Sequence, residues 1–295
     1  MLLTHLTNHY KKILALLIIG LTVFGFVYYF VKHPTTLDSL KNLSIVSIFA
    51  ILLLYFLILL CLVLVLKFSL DICNISMKWL DNLRLNIWSN IINFFGPLQS
   101  GPGVRAVYLK KKYGLTLKKF LYISLIYYGF IALISMMFIV LSSFTLYYAV
   151  GLIILSILGI CTGFFVLTKQ IKKTDRPSLS FRTVFNLFLI TLLQLLISSV
   201  IYFIELKIVN KGISYHQALC YCGVANLALF VSITPGAIGF RESFLLFTQK
   251  LHHISPANIL SANLIDRSVY LLFLLILIVI ASFMHIGNKL NVTKK

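Results

Sequence analysis

The stretch Thr234-Pro235-Gly236-Ala237-Ile238-Gly239-Phe240-Arg241-Glu242-Ser243 sets helix-breaking residues and an adjacent cation–anion pair between hydrophobic runs. Irregular backbone is tolerated in lipid only where protein or a wet cavity covers it. A charge at mid-membrane costs about 2.5–3.5 kcal/mol on insertion scales. Such a segment could bind an anion. A glycine-rich break feeding a helix exposes backbone N–H groups beside the positive end of the helix dipole, and a planar guanidinium can grip a phosphate bidentately where an ammonium cannot. Arg241 is therefore a candidate ligand for a lipid headgroup, with Pro235, Gly236 and Gly239 shaping the cavity. Ser100-Gly101-Pro102-Gly103-Val104-Arg105 repeats the order of small residues, Pro, Gly, an apolar residue and Arg. Arg105 becomes the second candidate ligand, and Pro97, Gly101 and Gly103 the matching cavity-shaping residues.

Asp266-Arg267 reverses the polarity of Arg241-Glu242. Buried charges must be paired, so crossed contacts from Arg241 to Asp266 and from Glu242 to Arg267 are expected, either gating a cavity or stapling two helices. His252 and His253 could carry protons near neutral pH, although neighbouring histidines in a short polar turn read more simply as interfacial. No metalloprotease, Walker or nucleophile-elbow motif occurs, and no carboxylate pair is in view. Neither a catalytic set, a metal nor a cofactor is expected. Cys61, Cys161, Cys220 and Cys222 lie inside apolar runs and Cys73 just past one, which reads as packed membrane-helix thiols.

The elements that must position these residues are hydrophobic. The chain is 60% hydrophobic and 11% charged, against about 25% charged residues in a soluble domain. The expected fold is an all-α polytopic integral membrane protein, one domain over residues 1–295, with about seven or eight transmembrane helices and two broken or re-entrant segments. Apolar runs of spanning length cover Ile13 to Val31, Ser44 to Leu66, Phe120 to Leu141, Tyr147 to Leu167, Val184 to Ile204, Ala218 to Ile233 and Val269 to Ile286. The first has bulky aromatic residues where a cleavage site would need small ones, and reads as a retained helix. A net charge of +19 sits mostly in loops. There it sets orientation and favours anionic headgroups, which argues against nucleic acid as a partner. The basic stretches Lys110 to Lys119 and Lys169 to Arg182, and with them the N-terminus, are expected on the cytoplasmic side. The loop Glu205 to Gln217 faces out. Seven crossings would leave the basic tail outside, and a further partial crossing between Pro235 and Asp266 would correct this.

Between Trp79 and Phe95, Leu80, Leu83, Ile87, Ile91 and Phe94 recur at helical spacing, opposite Asn82, Asn86, Asn90 and Asn93. This amphipathic helix either lies flat at the interface or dips inward and turns its Asn stripe toward a polar cavity. After each glycine-rich break comes a helix-start signal, Thr116 before Leu117 and Ser255-Pro256 before Ala257, then a long apolar run. The two segments suggest an internal repeat of the kind found in transporters.

At these motifs the chain resembles the membrane region of lysylphosphatidylglycerol synthases and its stand-alone, flippase-like relatives. The resemblance is carried by Asn93 to Leu109 and Ser232 to Leu246: Pro97, Gly101 and Arg105 in the early motif, and Pro235, Gly236, Gly239 and Glu242 in the late one. Relatives often carry an acid beside the early Gly, where this chain has Pro102-Gly103. No counterpart of the aminoacyl-transferring domain is read. The resemblance implies translocation of an anionic or polyprenyl-linked lipid in a cell (inner) membrane. The alternatives are a scaffold for a lipid or glycan biosynthesis enzyme, and a membrane-embedded transferase with Glu242 or Asp266 as base.

Overall fold

The computed structural model describes residues 43–96, 100–143, 180–230, 237 and 240–292, with isolated positions at 28, 31, 151 and 154. The described elements are α-helices: α1 (Ile45–Asp71), α2 (Trp79–Phe95), α3 (Ser100–Tyr113), α4 (Leu117–Ser143), α5 (Phe181–Val209), α6 (Tyr215–Leu229), α7 (Phe240–Phe247), α8 (Gln249–His252) and α9 (Pro256–Val292). Among them α1, α4, α5 and α9 are long and apolar enough to cross a membrane. The spans expected at Ile13 to Val31 and Tyr147 to Leu167 fall outside the described residues. The protein is an all-α, multi-pass membrane protein.

Helix starts follow local chemistry. Ser44 caps α1 by accepting from the Ser47 amide. Ser214 and Gln217 close a reciprocal capping box at α6, which satisfies amides that a helix start leaves without partners. Thr116 and Ser255 accept from the amides three residues on, Lys119 and Asn258, at the two starts marked in the sequence.

The short helices form two antiparallel hairpins. Helix α2 has 17 residues, about 25 Å at 1.5 Å per residue, short of a hydrocarbon core of about 30 Å. Ser100 Oγ at the start of α3 donates to the Ile92 carbonyl near the end of α2, 3.0 Å. At the other ends, Lys112 Nζ donates to Asp81 Oδ2, 2.8 Å. The arms meet at Gly101, where an added Cβ would lie 2.7 Å from the Ser89 carbonyl oxygen. Helix α6 and the pair α7–α8 return in the same way, with Gln217 Nε2 donating to the His253 carbonyl, 3.3 Å, and the Tyr221 ring 5.7 Å from that of His252.

Among the described residues, each half thus runs long helix, short hairpin, long helix: α1 to α4, then α5 to α9. The leading helices α1 and α5 pack together, and each hairpin also packs on the closing helix of the other half, α6 on α4 and α2 on α9. This exchange interlocks the halves. Cys61, Cys220 and Cys222 are packed in the interior, Cys73 is half-buried, and Cys161 is outside the described residues.

Several sequence expectations change here. The run Ala218 to Ile233 is not a full span: α6 stops at Leu229 after 15 residues, about 22 Å of helix. The last helix begins at Pro256 rather than near Val269, because Ser255-Pro256 starts it and its polar residues Ser261 and Asn263 turn inward and are buried. Glu205, expected in an outer loop, is 1% exposed within α5. The stretch from Ser100 is the first turn of α3 rather than irregular backbone, since a first turn tolerates Pro. Arg241 and Glu242 likewise sit in the first turn of α7. The Asn stripe of α2 is not laid on an interface. Asn82 and Asn86 are fully buried, with Asn82 Nδ2 donating to the Val63 carbonyl of α1, 2.8 Å, and Asn86 Nδ2 to Asn82 Oδ1, 2.7 Å.

The second hairpin also sets the direction of the last helix. Because α8 ends beside the start of α6, α9 sets out from the side where α5 finishes. It then runs back along α5, with Ile201 and Ile265 in one core, and ends on the side of Arg182.

Candidate functional site

Where α1, α2, α5, α7 and α9 converge, the sequence has placed tyrosines and charges in otherwise apolar helices. Arg241 of α7 and Asp266 of α9 are each 6% exposed, and Arg267 is 8% exposed. Arg241 Nη1 donates to Asp266 Oδ2 at 2.7 Å. Arg267 Nη2 lies 3.6 Å from Glu242 Oε1. Both crossed contacts therefore occur, and the reversed order of the two dipeptides makes them geometrically compatible. The other Asp266 oxygen, Oδ1, accepts from the Tyr55 hydroxyl at 2.6 Å. The Arg241 guanidinium lies over the Tyr202 ring, 5.0 Å from its centroid, an arrangement worth about 2 kcal/mol or more when desolvated.

A cavity of about 190 Å³ opens among these groups, and Asn93, Ser198, Ala237 and Tyr270 complete its wall. Tyr55 packs edge-on to Tyr270 at 5.1 Å and is stacked with Phe273 at 5.5 Å. Ala237 has φ 59°, a left-handed conformation that costs a residue with a side chain about 1–3 kcal/mol.

Hydrogen bonding at the arginines is incomplete. Nε and Nη2 of Arg241 have no hydrogen-bond partner among the described residues, and Nε of Arg267 has none. A buried donor without a partner costs about 1–3 kcal/mol, more when charged. The Arg241 edge carrying Nε and Nη2 is the one that matches two oxygens of a phosphate or carboxylate.

The remaining sequence candidates are distributed differently. Arg105 of α3 does not line this cavity. Its Nε has no hydrogen-bond partner among the described residues. Gly103 is exposed, with no atom within 4 Å of where a Cβ would stand. Pro97, Pro235, Gly236 and Gly239 lie outside the described residues. Tyr55, Tyr202, Tyr270 and Glu205 were not singled out from the sequence. A phenol in the middle of an apolar run, such as Tyr55 in α1, was the available signal, because its hydroxyl needs a partner where water is absent.

The two histidines are placed differently, His252 buried and His253 exposed. His252 Nε2 lies 3.0 Å from the Leu245 carbonyl and donates to it, while Nδ1 accepts from the Ile254 amide at 3.3 Å. This fixes one neutral tautomer. Burial holds the His252 pKa below its ordinary value, with the Leu245 carbonyl opposing and His253 reinforcing the shift. Since the folded value lies below the unfolded one, the contribution to stability is complete above an unfolded pKa of about 6.5 and is lost as pH falls through the lower folded value. The unfolding temperature in detergent is expected to drop from pH 7.5 to pH 5, and to drop less in His252→Gln. Equal acid sensitivity in the two proteins would refute this assignment.

The family model for the lysylphosphatidylglycerol synthase TM region matches residues 12–278 of the chain. The match includes both hairpins, the cavity and Asp266. The comparison with curated proteins found no match.

Proposed function

The chain belongs to the lysylphosphatidylglycerol synthase TM region family, a lipid-related membrane family, and from that premise we propose that it translocates an anionic or polyprenyl-phosphate-linked lipid. The observation that carries this reading is Arg241 itself, a buried guanidinium in the wall of a cavity, whose Nε and Nη2 have no hydrogen-bond partner among the described residues. The cavity is smaller than the roughly 300–1,000 Å³ that encloses a whole drug-sized ligand. It suits a headgroup phosphate whose tails stay in lipid. Asp266 and Tyr55 hold Arg241 in place from one side, leaving the other side for the phosphate. Glu242 and Arg267, the looser pair at 3.6 Å, gate the mouth. Arg105, in the equivalent position of the first hairpin, supplies a second phosphate contact along the path.

A transferase reading fares less well. Both Asp266 oxygens are engaged, so that carboxylate is a poor general base. The basic segments place the Arg182 side in the cytoplasm, and α9 then ends there, which puts the Lys289 region on the side that the charge rule requires. The membrane is the cell (inner) membrane.

Calorimetry on the purified chain with short-chain phosphatidylglycerol tests the headgroup site. Arg241→Lys keeps the charge but loses the planar fork, and is expected to weaken binding by about 1.5–3 kcal/mol, roughly ten- to a hundredfold. Free sn-glycerol 3-phosphate, which lacks tails, is expected to bind more weakly than the lipid. Unchanged lipid affinity in Arg241→Lys and Arg241→Gln would remove Arg241 from the headgroup site. Tighter binding of the free phosphate would point to a soluble anion instead of a lipid.

A further inference from the structure

Arg267 is the second guanidinium of the cavity wall, and little in the protein engages it. It is 8% exposed and lines the same cavity as Arg241. Its Nε and Nη2 have no hydrogen-bond partner among the described residues, the condition also found for Nε and Nη2 of Arg241. Glu242 Oε1 lies 3.6 Å from Arg267 Nη2, an ion pair too long to be a hydrogen bond. Asp266 brings the two forks to one wall, since it accepts from Arg241 and immediately precedes Arg267 in α9.

Two such forks call for more oxygen than one. The edge formed by Nε and Nη2 of a guanidinium matches two oxygens. A phosphodiester has two oxygens that bear no carbon, enough for a single edge. A phosphomonoester has three, so one phosphate can engage Arg241 and still present an oxygen to Arg267. An ammonium-bearing headgroup finds no acceptor of this kind. Asp266 is the acid of the wall, and both of its oxygens are engaged, Oδ1 by Tyr55 and Oδ2 by Arg241.

We propose that Arg267 is a second phosphate ligand in this cavity, and that the preferred lipid ends in a phosphomonoester, as phosphatidic acid and polyprenyl monophosphates do. The inference rests on the headgroup reading of the cavity and narrows it. In the empty site Arg267 pairs loosely with Glu242. In the loaded site a phosphate oxygen at hydrogen-bonding distance takes the place of that 3.6 Å contact, which ties the gate to occupancy.

The test uses the full chain in detergent at pH 8, with dihexanoyl phosphatidic acid and its methyl ester, dihexanoyl phosphatidylmethanol. The two lipids share their tails and differ by a methyl group on one phosphate oxygen. Calorimetry on the wild type is expected to show phosphatidic acid bound tighter by about tenfold or more, the effect of one further charge-assisted hydrogen bond. Arg267→Lys keeps the charge beside Glu242 but loses the fork, and should shrink the preference to about threefold or less. An undiminished preference in Arg267→Lys would be Coulombic and overturns the proposal. Equal binding of the two lipids by the wild type, while both depend on Arg241, also overturns it and leaves the headgroup reading intact. Binding of neither lipid removes both readings. sn-Glycerol 3-phosphate, the same monoester without tails, is expected to bind more weakly than phosphatidic acid. Tighter binding of it would make the ligand a soluble phosphate and overturn the lipid class. Should Arg267→Lys fail to fold, Arg267→Gln with Glu242→Gln leaves neither charge alone and should bind the two lipids alike. A preference retained in that double variant overturns the proposal.

Discussion

Arg241→Gln is expected to lower the unfolding free energy by about 3–5 kcal/mol, because it strands the Asp266 carboxylate in a dry site. The double variant Arg241→Gln with Asp266→Asn should recover most of that loss without recovering phosphatidylglycerol binding. The asymmetry follows from what each partner does. Asp266 uses one oxygen on Arg241 and one on Tyr55, so as an amide it still accepts from the Tyr55 hydroxyl and no longer needs a cation. Replacing both members of a buried ion pair by neutral groups is often close to neutral for stability, whereas removing one member is not. The Nε and Nη2 donors have no such substitute. They have no partner among the described residues, and a glutamine cannot reproduce the fork. Thermal unfolding and calorimetric binding on the four proteins of the cycle separate the roles. A double variant that regains both stability and binding would show Arg241 to be only a staple between α7 and α9.

That pairing was readable in the sequence for a reason specific to this chain. It carries only 7 acids, and an acid next to an arginine inside an apolar stretch must find a partner. Two such dipeptides of opposite order leave one natural way to match. Glu205 escaped the same logic. It precedes Lys207 at the polar end of a hydrophobic run, where a carboxylate ordinarily reaches water, and only the packing of the helices around α5 buries it. The long helices were legible from their apolar runs, but the extent of the last was not: Asp266 and Arg267 look like flanking charges until the interior they face is known. The outgoing arms α2 and α6 were legible as helices, the return arms α3 and α7 only as breaks. Gly and Pro mark where the chain turns, whereas the return arm α7, of 8 residues, is too short for its periodicity to register. Arg105 and Arg241 share a motif yet face different neighbours, because the motif fixes a place on a hairpin arm and the exchanged packing decides what that arm meets.

Gly223→Ala is expected to destabilise the protein by about 1–3 kcal/mol through overpacking, although alanine by itself favours a helix over glycine by about 0.8–1.0 kcal/mol. Gly223 lies at the contact of α6 with α4, the crossing that ties the second hairpin to the first half. An added Cβ there would stand 2.5 Å from the Ser135 carbonyl oxygen and 2.8 Å from Ile139 Cγ1. The carbonyl belongs to a helix and cannot swing aside, so the helices must separate. Small residues at such contacts are what allow membrane helices to approach closely. Gly101→Ala meets the same obstacle inside the first hairpin, 2.7 Å from the Ser89 carbonyl oxygen and 2.9 Å from Asn93 Cβ. Because Asn93 lines the cavity, this variant should lose lipid affinity as well as stability. Gly103→Ala is the internal control. With nothing within 4 Å of its Cβ position, it should gain about 0.5–1 kcal/mol from reduced backbone entropy and leave binding unchanged. Unfolding temperatures in one detergent, with calorimetric binding to phosphatidylglycerol, rank the three. A Gly103→Ala protein that loses binding would restore that glycine to the cavity. A Gly223→Ala protein as stable as the wild type would mean that the two halves are not held by this crossing.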